Sequence, residues 1–189
     1  MTLFAITGTP GTGKTSISKE LRSRGYSVID MNEHIREHGL LRQFDEERNT
    51  YEVDLDELND SLEEYRCDDV LHLMDSHLSH FMDCSGIIVL RCDPDVLAGR
   101  LRARGYSKKK VTENVQSEIL DVILCEATDS DIPVYEVDCS VSEITESVDA
   151  VEEILKGKVD DYLPGRTDWS EEMERWFSMD RQTRRALLY

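Results

Sequence analysis

Long apolar runs are missing from this sequence of 189 residues, and none approaches the ~20 residues that cross a bilayer, so no membrane-spanning helix is expected. Basic residues are the scarcer charge: 22 Lys and Arg stand against 40 Asp and Glu, giving a net charge of −18 and a pI of about 4.6. Attraction to phosphate backbones needs basic surface, so direct nucleic-acid binding is not expected. The acidity suits either a basic protein partner or a solvated surface adapted to a salty cytosol. Cysteine is sparse as well. Cys67, Cys84, Cys92, Cys125 and Cys139 form an odd, scattered set without a C-x-x-C pair. That pattern argues against a disulfide framework and a zinc ribbon, and buried, reduced thiols are the expectation. A basic leader is lacking too, since Met1 to Ala5 runs straight into an apolar stretch; a cytoplasmic protein is therefore expected. There are no internal repeats or low-complexity segments. What is present, 39% hydrophobic and 33% charged residues, describes a chain long enough for one α/β core with inserts.

The stretch that organises the chain is Gly8-Thr9-Pro10-Gly11-Thr12-Gly13-Lys14-Thr15, which fills every fixed position of G-x-x-x-x-G-K-[ST]. An apolar run over residues 3–7 precedes it and a helix-competent run over 16–24 follows, so strand, loop and helix come in the order a phosphate cradle requires. Glycines let successive backbone N–H groups point inward at phosphate oxygens, and the helix start adds partial positive charge. Lys14 then reaches the β- and γ-phosphates, and the Thr15 hydroxyl ligates Mg²⁺.

Along the rest of the chain, Ile17 and Leu21 place one face of the first helix on a sheet. Strands are expected at 26–30, 70–74, 86–90 and 133–138, with helices at 31–38, 54–66, 93–104, from the basic loop 105–110 to about 128, and at 142–156. Leu55, Leu58 and Leu62 are expected on one buried face; Val111, Val115, Ile119, Val122 and Ile123 form another stripe. Ser142 is expected to cap the last helix. Residues 40–53 carry charge and little periodicity and read as a movable insert. Five strands alternating with helices imply a parallel sheet covered on both faces. The tail from 158 onward carries Trp169, Met173, Trp176 and Phe177, then Arg181, Arg184 and Arg185; it reads as an aromatic cover for the core or as a partner contact.

In an open parallel sheet the ligand lies beyond the carboxyl ends of the strands, which gathers the candidate residues. Asp75 ends an apolar strand, as a carboxylate serving the same Mg²⁺ as Thr15 must. His77 is placed to orient a nucleophile or contact a phosphate. Arg36, with Asn32 and Glu33 before it, is suited to grip an acceptor phosphate. Arg100 and Arg104 flank the basic loop, with Arg104 placed to close over a moving phosphoryl group. His34-Ile-Arg-Glu37-His38 also matches H-x-x-E-H, a zinc-peptidase pattern, but it has no evident third ligand.

Together, the motif at 7–15, Asp30-Met-Asn-Glu-His-Ile-Arg-Glu37, Asp75-Ser-His77, Val89-Leu-Arg-Cys-Asp93 and Arg100-Leu-Arg-Ala-Arg-Gly-Tyr106 resemble the small adenylate kinases of the isoenzyme-six type, found in archaea and eukaryotic nuclei. The segment 110–121 with Glu126-Ala127 continues the resemblance, which covers about 3–156. It implies a nucleoside monophosphate kinase fold over 1–157 with a tail at 158–189. Gly11, Gly13, Lys14, Thr15, Ser16 and Arg104 would then bind ATP. An acceptor-binding insert is implied over about 30–53, with Asn32, Glu33 and Arg36 at the acceptor, and a lid over about 103–113. The lid is short and holds no cysteine, so no structural zinc is expected. The resemblance further implies broad monophosphate kinase activity, most plausibly toward AMP, an ATPase activity, a part in small ribosomal subunit maturation and transient contact with a basic ribosomal protein of the S-eleven type.

Overall fold

The computed structural model describes residues 3–45, 50–140 and 143–178. Ser142, the expected helix cap, and Arg181, Arg184 and Arg185 lie outside the described residues.

Five of the apolar runs form one parallel sheet: β1 (Leu3–Thr7), β2 (Ser27–Asp30), β5 (His72–Asp75), β6 (Gly86–Arg91) and β7 (Val134–Asp138), in the order β2-β5-β1-β6-β7. β1 lies at the centre, with Ile6 level with Asp75 on one side and Thr7 level with Val89 on the other. Because successive side chains point to opposite faces, the central strands feed two separate cores. Ala5, Met74, Ile87 and Val89 pack with Met31 and Ile35 of α2 (Met31–Glu37), with Leu58 of α3 (Leu55–Asp60), and with Leu124 and Ala127 of α7 (Val122–Thr128). Ile6, Leu73, Ile88, Leu90 and Val137 pack with Ile17 and Leu21 of α1 (Lys14–Ser23) and Val148, Val151 and Ile154 of α8 (Ile144–Leu155). Each fully buried aliphatic side chain contributes about 1.5–3 kcal/mol, so both faces are needed to hold the sheet.

Helix starts follow their caps. Asp30 accepts from the N–H groups of Asn32 and Glu33 at 3.0 and 3.1 Å, and Asp93 accepts from Asp95 and Val96 ahead of α5 (Pro94–Ala103), whose first residue is proline.

Several elements differ from the sequence expectation. The helix expected over 54–66 is two pieces, α3 and α4 (Glu63–Cys67); Leu58 and Leu62 are fully buried, whereas Leu55 in the first turn is exposed. The long helix expected to reach 128 breaks between α6 (Lys108–Ile119) and α7, because Asp121 adopts a left-handed conformation with φ 53°. Its carboxylate is drawn there by Arg91. Within 40–53 the chain makes an antiparallel pair, β3 (Leu41–Asp45) with β4 (Thr50–Val53), with a register shift between Leu41 and Phe44 that obscures the alternation. Val70 lies outside β5 and is half exposed. Of the cysteines, all free, Cys84, Cys92 and Cys139 are buried but Cys67 and Cys125 are exposed.

The tail lies on the edge of the sheet. Glu136 of β7 donates its N–H to Tyr162 O at 2.7 Å, and Tyr162 Oη donates to Glu153 of α8 at 2.8 Å. Farther on, Trp176 is buried against Leu97 and Leu101 of α5 and Val111, Val115 and Ile119 of α6, with Trp169 and Phe177 packed at the rim. This is the covering arrangement that the aromatic residues suggested.

Candidate functional site

The phosphate loop, residues 8–15, leaves β1 at the centre of the sheet and runs directly into α1. Two glycines are dictated by close approach as well as by positive φ. A Cβ on Gly8 (φ 139°) would sit 2.5 Å from Leu90 O, and one on Gly11 (φ 102°) would meet Leu97 Cδ1 at 2.8 Å and Leu101 Cδ2 at 3.0 Å. The loop is therefore seated on β6 and α5, and no other residue fits those two positions.

Lys14 lies across this loop, its Nζ donating to Gly8 O at 2.5 Å and Thr9 O at 3.2 Å. Burial lowers its pKa to about 8 despite the opposing pull of Asp75 and Glu118; Arg104 adds to the lowering. Thr15 is exposed at the start of α1, one residue on. Asp75 ends β5 and is half-buried; burial raises its pKa, against which Ser18 and Lys14 pull it down. His77 follows on the surface; the protein mass behind it, then Lys14 and His80, lower its pKa.

A cavity of about 360 Å³ opens beside the loop, lined by Gly11, Gly13, Ser16, Arg100, Arg104 and Cys139 among others, a size suited to a nucleotide-sized ligand. The structure thus brings together Gly11, Gly13, Ser16 and Arg104 at one cavity; Lys14 and Asp75 do not line it and act on each other electrostatically at the loop. The two arginines expected to flank the basic loop differ in how they are held. Arg100 is fixed, with Nη1 donating to Thr12 O at 3.1 Å and Nη2 to Cys139 O at 2.8 Å, so it braces the loop. The Arg104 side chain is exposed and makes no hydrogen bond or ion pair among the described residues, while its backbone N–H donates to Arg100 O and Leu101 O.

On the other side, Asn32, Glu33 and Arg36 of α2 are all exposed. Asp30, level with Asp75 across the β2–β5 pairing, starts this helix at the carboxyl end of the sheet. The H-x-x-E-H pair is otherwise engaged: His34 Nε2 lies 2.8 Å from Ser61 Oγ, its ring stacks on His38 at 3.9 Å, and His38 Nδ1 bonds His34 O.

Two buried polar networks escaped the sequence reading. Thr7 Oγ1 lies 3.0 Å from His80 Nδ1, whose Nε2 lies 3.2 Å from Glu126 Oε2. Burial lowers the His80 pKa, and Glu126 opposes that. Thr9 Oγ1 donates to Glu118 Oε2 at 2.5 Å, and Glu118 in turn receives Arg91 Nε at 2.9 Å and Cys92 N at 3.0 Å. A glutamate within the apolar stripe of α6, between Val115 and Ile119, was the available signal.

Comparison with known proteins places this geometry. A family model described as an AAA domain matches residues 5–121. A protein of Methanocaldococcus jannaschii named "Putative adenylate kinase" is 40% identical over 178 residues, 94% of this chain and 98% of the relative. One of the same name from Archaeoglobus fulgidus is 40% identical over 175 residues, covering 91% and 94%. Among solved structures, shikimate kinase from Bacteroides thetaiotaomicron superposes with a TM-score of 0.57 at 18% identity, covering 82% of this chain and 98% of that one. Deoxyadenosine kinase from M. mycoides, solved with dCMP and dCDP, gives 0.53 at 14% identity, covering 82% and 99%. These solved structures share the phosphate-loop kinase fold.

Proposed function

The chain belongs to the adenylate-kinase family of these archaeal relatives, and on that premise we propose that it transfers the γ-phosphoryl group of ATP to a nucleoside monophosphate, AMP foremost, giving two ADP. The observation that carries this reading is a phosphate loop that lines a nucleotide-sized cavity together with Arg104, while Lys14 of the same loop acts electrostatically on Asp75.

In this reading Gly11, Gly13, Thr15 and Ser16 cradle the ATP phosphates with backbone N–H groups and hydroxyls, and Lys14 leaves its two carbonyls to meet the β- and γ-oxygens. Arg104, exposed at the end of α5, is free to turn toward the moving group and stabilise its charge. Arg36 takes the acceptor phosphate, with Asn32 and Glu33 beside it. His77 stands next to Lys14 and orients the acceptor oxygen. The Thr15 hydroxyl and the Asp75 carboxylate are hard oxygen donors suited to Mg²⁺, and the cost of burying the Asp75 charge fits a cation beside them. When bound, Mg²⁺ supplies neutralisation of phosphate charge. The insert over about 30–53 and the lid over about 103–113 would close on acceptor and donor. Phosphoryl transfer asks mainly for such positioning and charge stabilisation.

A second reading rests on the net charge of −18: an ATPase that contacts a basic small-subunit ribosomal protein of the S-eleven type during ribosome maturation, in the cytoplasm, with kinase turnover incidental. A pull-down of that protein with and without ATP tests it; binding indifferent to nucleotide contradicts it. The kinase reading is tested by incubating the protein with Mg-ATP and each of several monophosphates. The expected result is diphosphate formation that requires the acceptor.

A further inference from the structure

Resting on the kinase reading above, we propose that Glu118 is a positioning residue: through the Thr9 hydroxyl it fixes the phosphate loop to the foot of α6, the helix that carries the basic lid segment at its other end.

Glu118 sits in the last turn of α6 and is 3% exposed. One of its oxygens receives Thr9 Oγ1 at 2.5 Å; the other receives Arg91 Nε and Cys92 N. Thr9 is itself buried, and its carbonyl receives Thr12 N at 3.2 Å, Thr12 Oγ1 at 3.0 Å and Lys14 Nζ at 3.2 Å. A change at the Thr9 side chain therefore reaches both the loop turn and the phosphate-binding lysine.

The far side of Glu118 is held still. Arg91, 1% exposed at the end of β6, spends its other donors on Glu118 O at 3.3 Å, on Asp121 and on Glu136 Oε1 at 2.5 Å. Burial works against the Arg91 charge, but the carboxylates outweigh it and raise its pKa. Glu136 completes the chain by accepting from Gly165 N at 2.6 Å and Arg166 N at 3.1 Å in the tail. Thus α6 is pinned at its C-terminal end to sheet and tail, and Asp121, the left-handed residue, ends the pin. Its N-terminal end, Lys108 to Lys110, is exposed and joins α5 through residues 104–107. The geometry is that of a lever with a buried pivot, and Thr9 links the pivot to the loop. A buried carboxylate bonded this fully has a fixed direction, so it holds the loop in one conformation rather than merely filling space.

The test measures binding of an ATP analogue with an imido β,γ-bridge, in the presence of Mg²⁺, together with kinase kinetics and melting temperature, for Thr9→Val, Thr9→Ser and Glu118→Gln in the full chain. Thr9→Val keeps shape and leaves Arg91 paired, so it folds even where Glu118→Gln does not. The expected result is about tenfold weaker analogue binding and an equal rise in the KM for ATP, with the KM for AMP unchanged and recovery of most of the loss in Thr9→Ser. Analogue binding equal to wild type in Thr9→Val, or a melting-temperature drop with both KM values unmoved, overturns the proposal. If the wild type consumes no monophosphate, the kinase reading fails by itself, and the analogue-binding arm still decides the role of Glu118.

Discussion

The two ends that the proposed reading assigns to donor and acceptor are built differently. At the donor end much of the loop is tied down: Lys14 to two carbonyls, Thr9 to Glu118, Thr12 O to Arg100, Gly8 and Gly11 against β6 and α5. At the acceptor end Asn32, Glu33 and Arg36 project into solvent, and the β3–β4 pair carries Phe44 and Tyr51 42% and 51% exposed. In the proposed reading the difference teaches that the loop backbone is set before ligand arrives, whereas Lys14 leaves its carbonyls and the acceptor contacts form on binding. On that reading, preorganisation of this kind would place catalytic power at the phosphate loop and leave specificity to the insert.

Breaking the donor end should have the largest effect. Lys14→Ala is expected to lower turnover by about 10²–10³ or more while cooperative urea unfolding persists, and near-normal turnover would dissolve the contrast between the two ends. Next in size, Arg36→Ala is expected to raise the KM for AMP by about 10- to 100-fold, as loss of a charge-assisted phosphate contact should, and to leave the KM for ATP alone. Equal changes in both constants would mean that Arg36 serves the whole site rather than the acceptor.

Smaller still is the pH effect. The Lys14 pKa of about 8 lies below the ordinary 10.5, so the free folded protein releases this proton as pH rises through 8. A bound triphosphate favours the charged form; calorimetry at pH 8.5 in two buffers should therefore show proton uptake on ATP binding, and affinity should fall as pH climbs above 8. For stability the sign is opposite: between pH 8 and 10.5 the unfolded lysine holds more protons, so this group adds stability as pH rises there. Proton release on binding would contradict the buried position of Lys14. Smallest of all, Phe44→Ala removes a ring 5.0 Å from that of Tyr51 in a mostly exposed cross-strand pair. It should cost under about 1 kcal/mol in urea unfolding and leave ATP binding intact.

Much of the donor end was legible in the sequence because backbone geometry and short-range order define it: a glycine-rich loop between an apolar run and a helix has few other solutions. The same holds for the central strands β1, β5 and β6, whose nearly continuous apolar runs mark burial on both faces. Long-range polar pairing was not legible. Nothing local announces that Arg91, at the end of an apolar strand, meets Glu118 27 residues on and Glu136 45 residues on. Nor does it announce that Asp121 breaks a helix to join them, or that Arg100 braces the loop from α5. The β3–β4 pair was missed because its register shift and exposed face erase the two-residue period. The burial of Trp176 was anticipated, since an aromatic cluster in a charged tail needs an apolar surface to cover.

The most direct test of the central claim is nucleotide quantification by chromatography after incubating the purified protein with Mg-ATP, with and without AMP. The account predicts that ADP accumulates only when AMP is present, with ATP and AMP consumed in equal amounts and two ADP formed per turnover. ADP and free phosphate appearing without AMP, with added AMP left unconsumed, would contradict it.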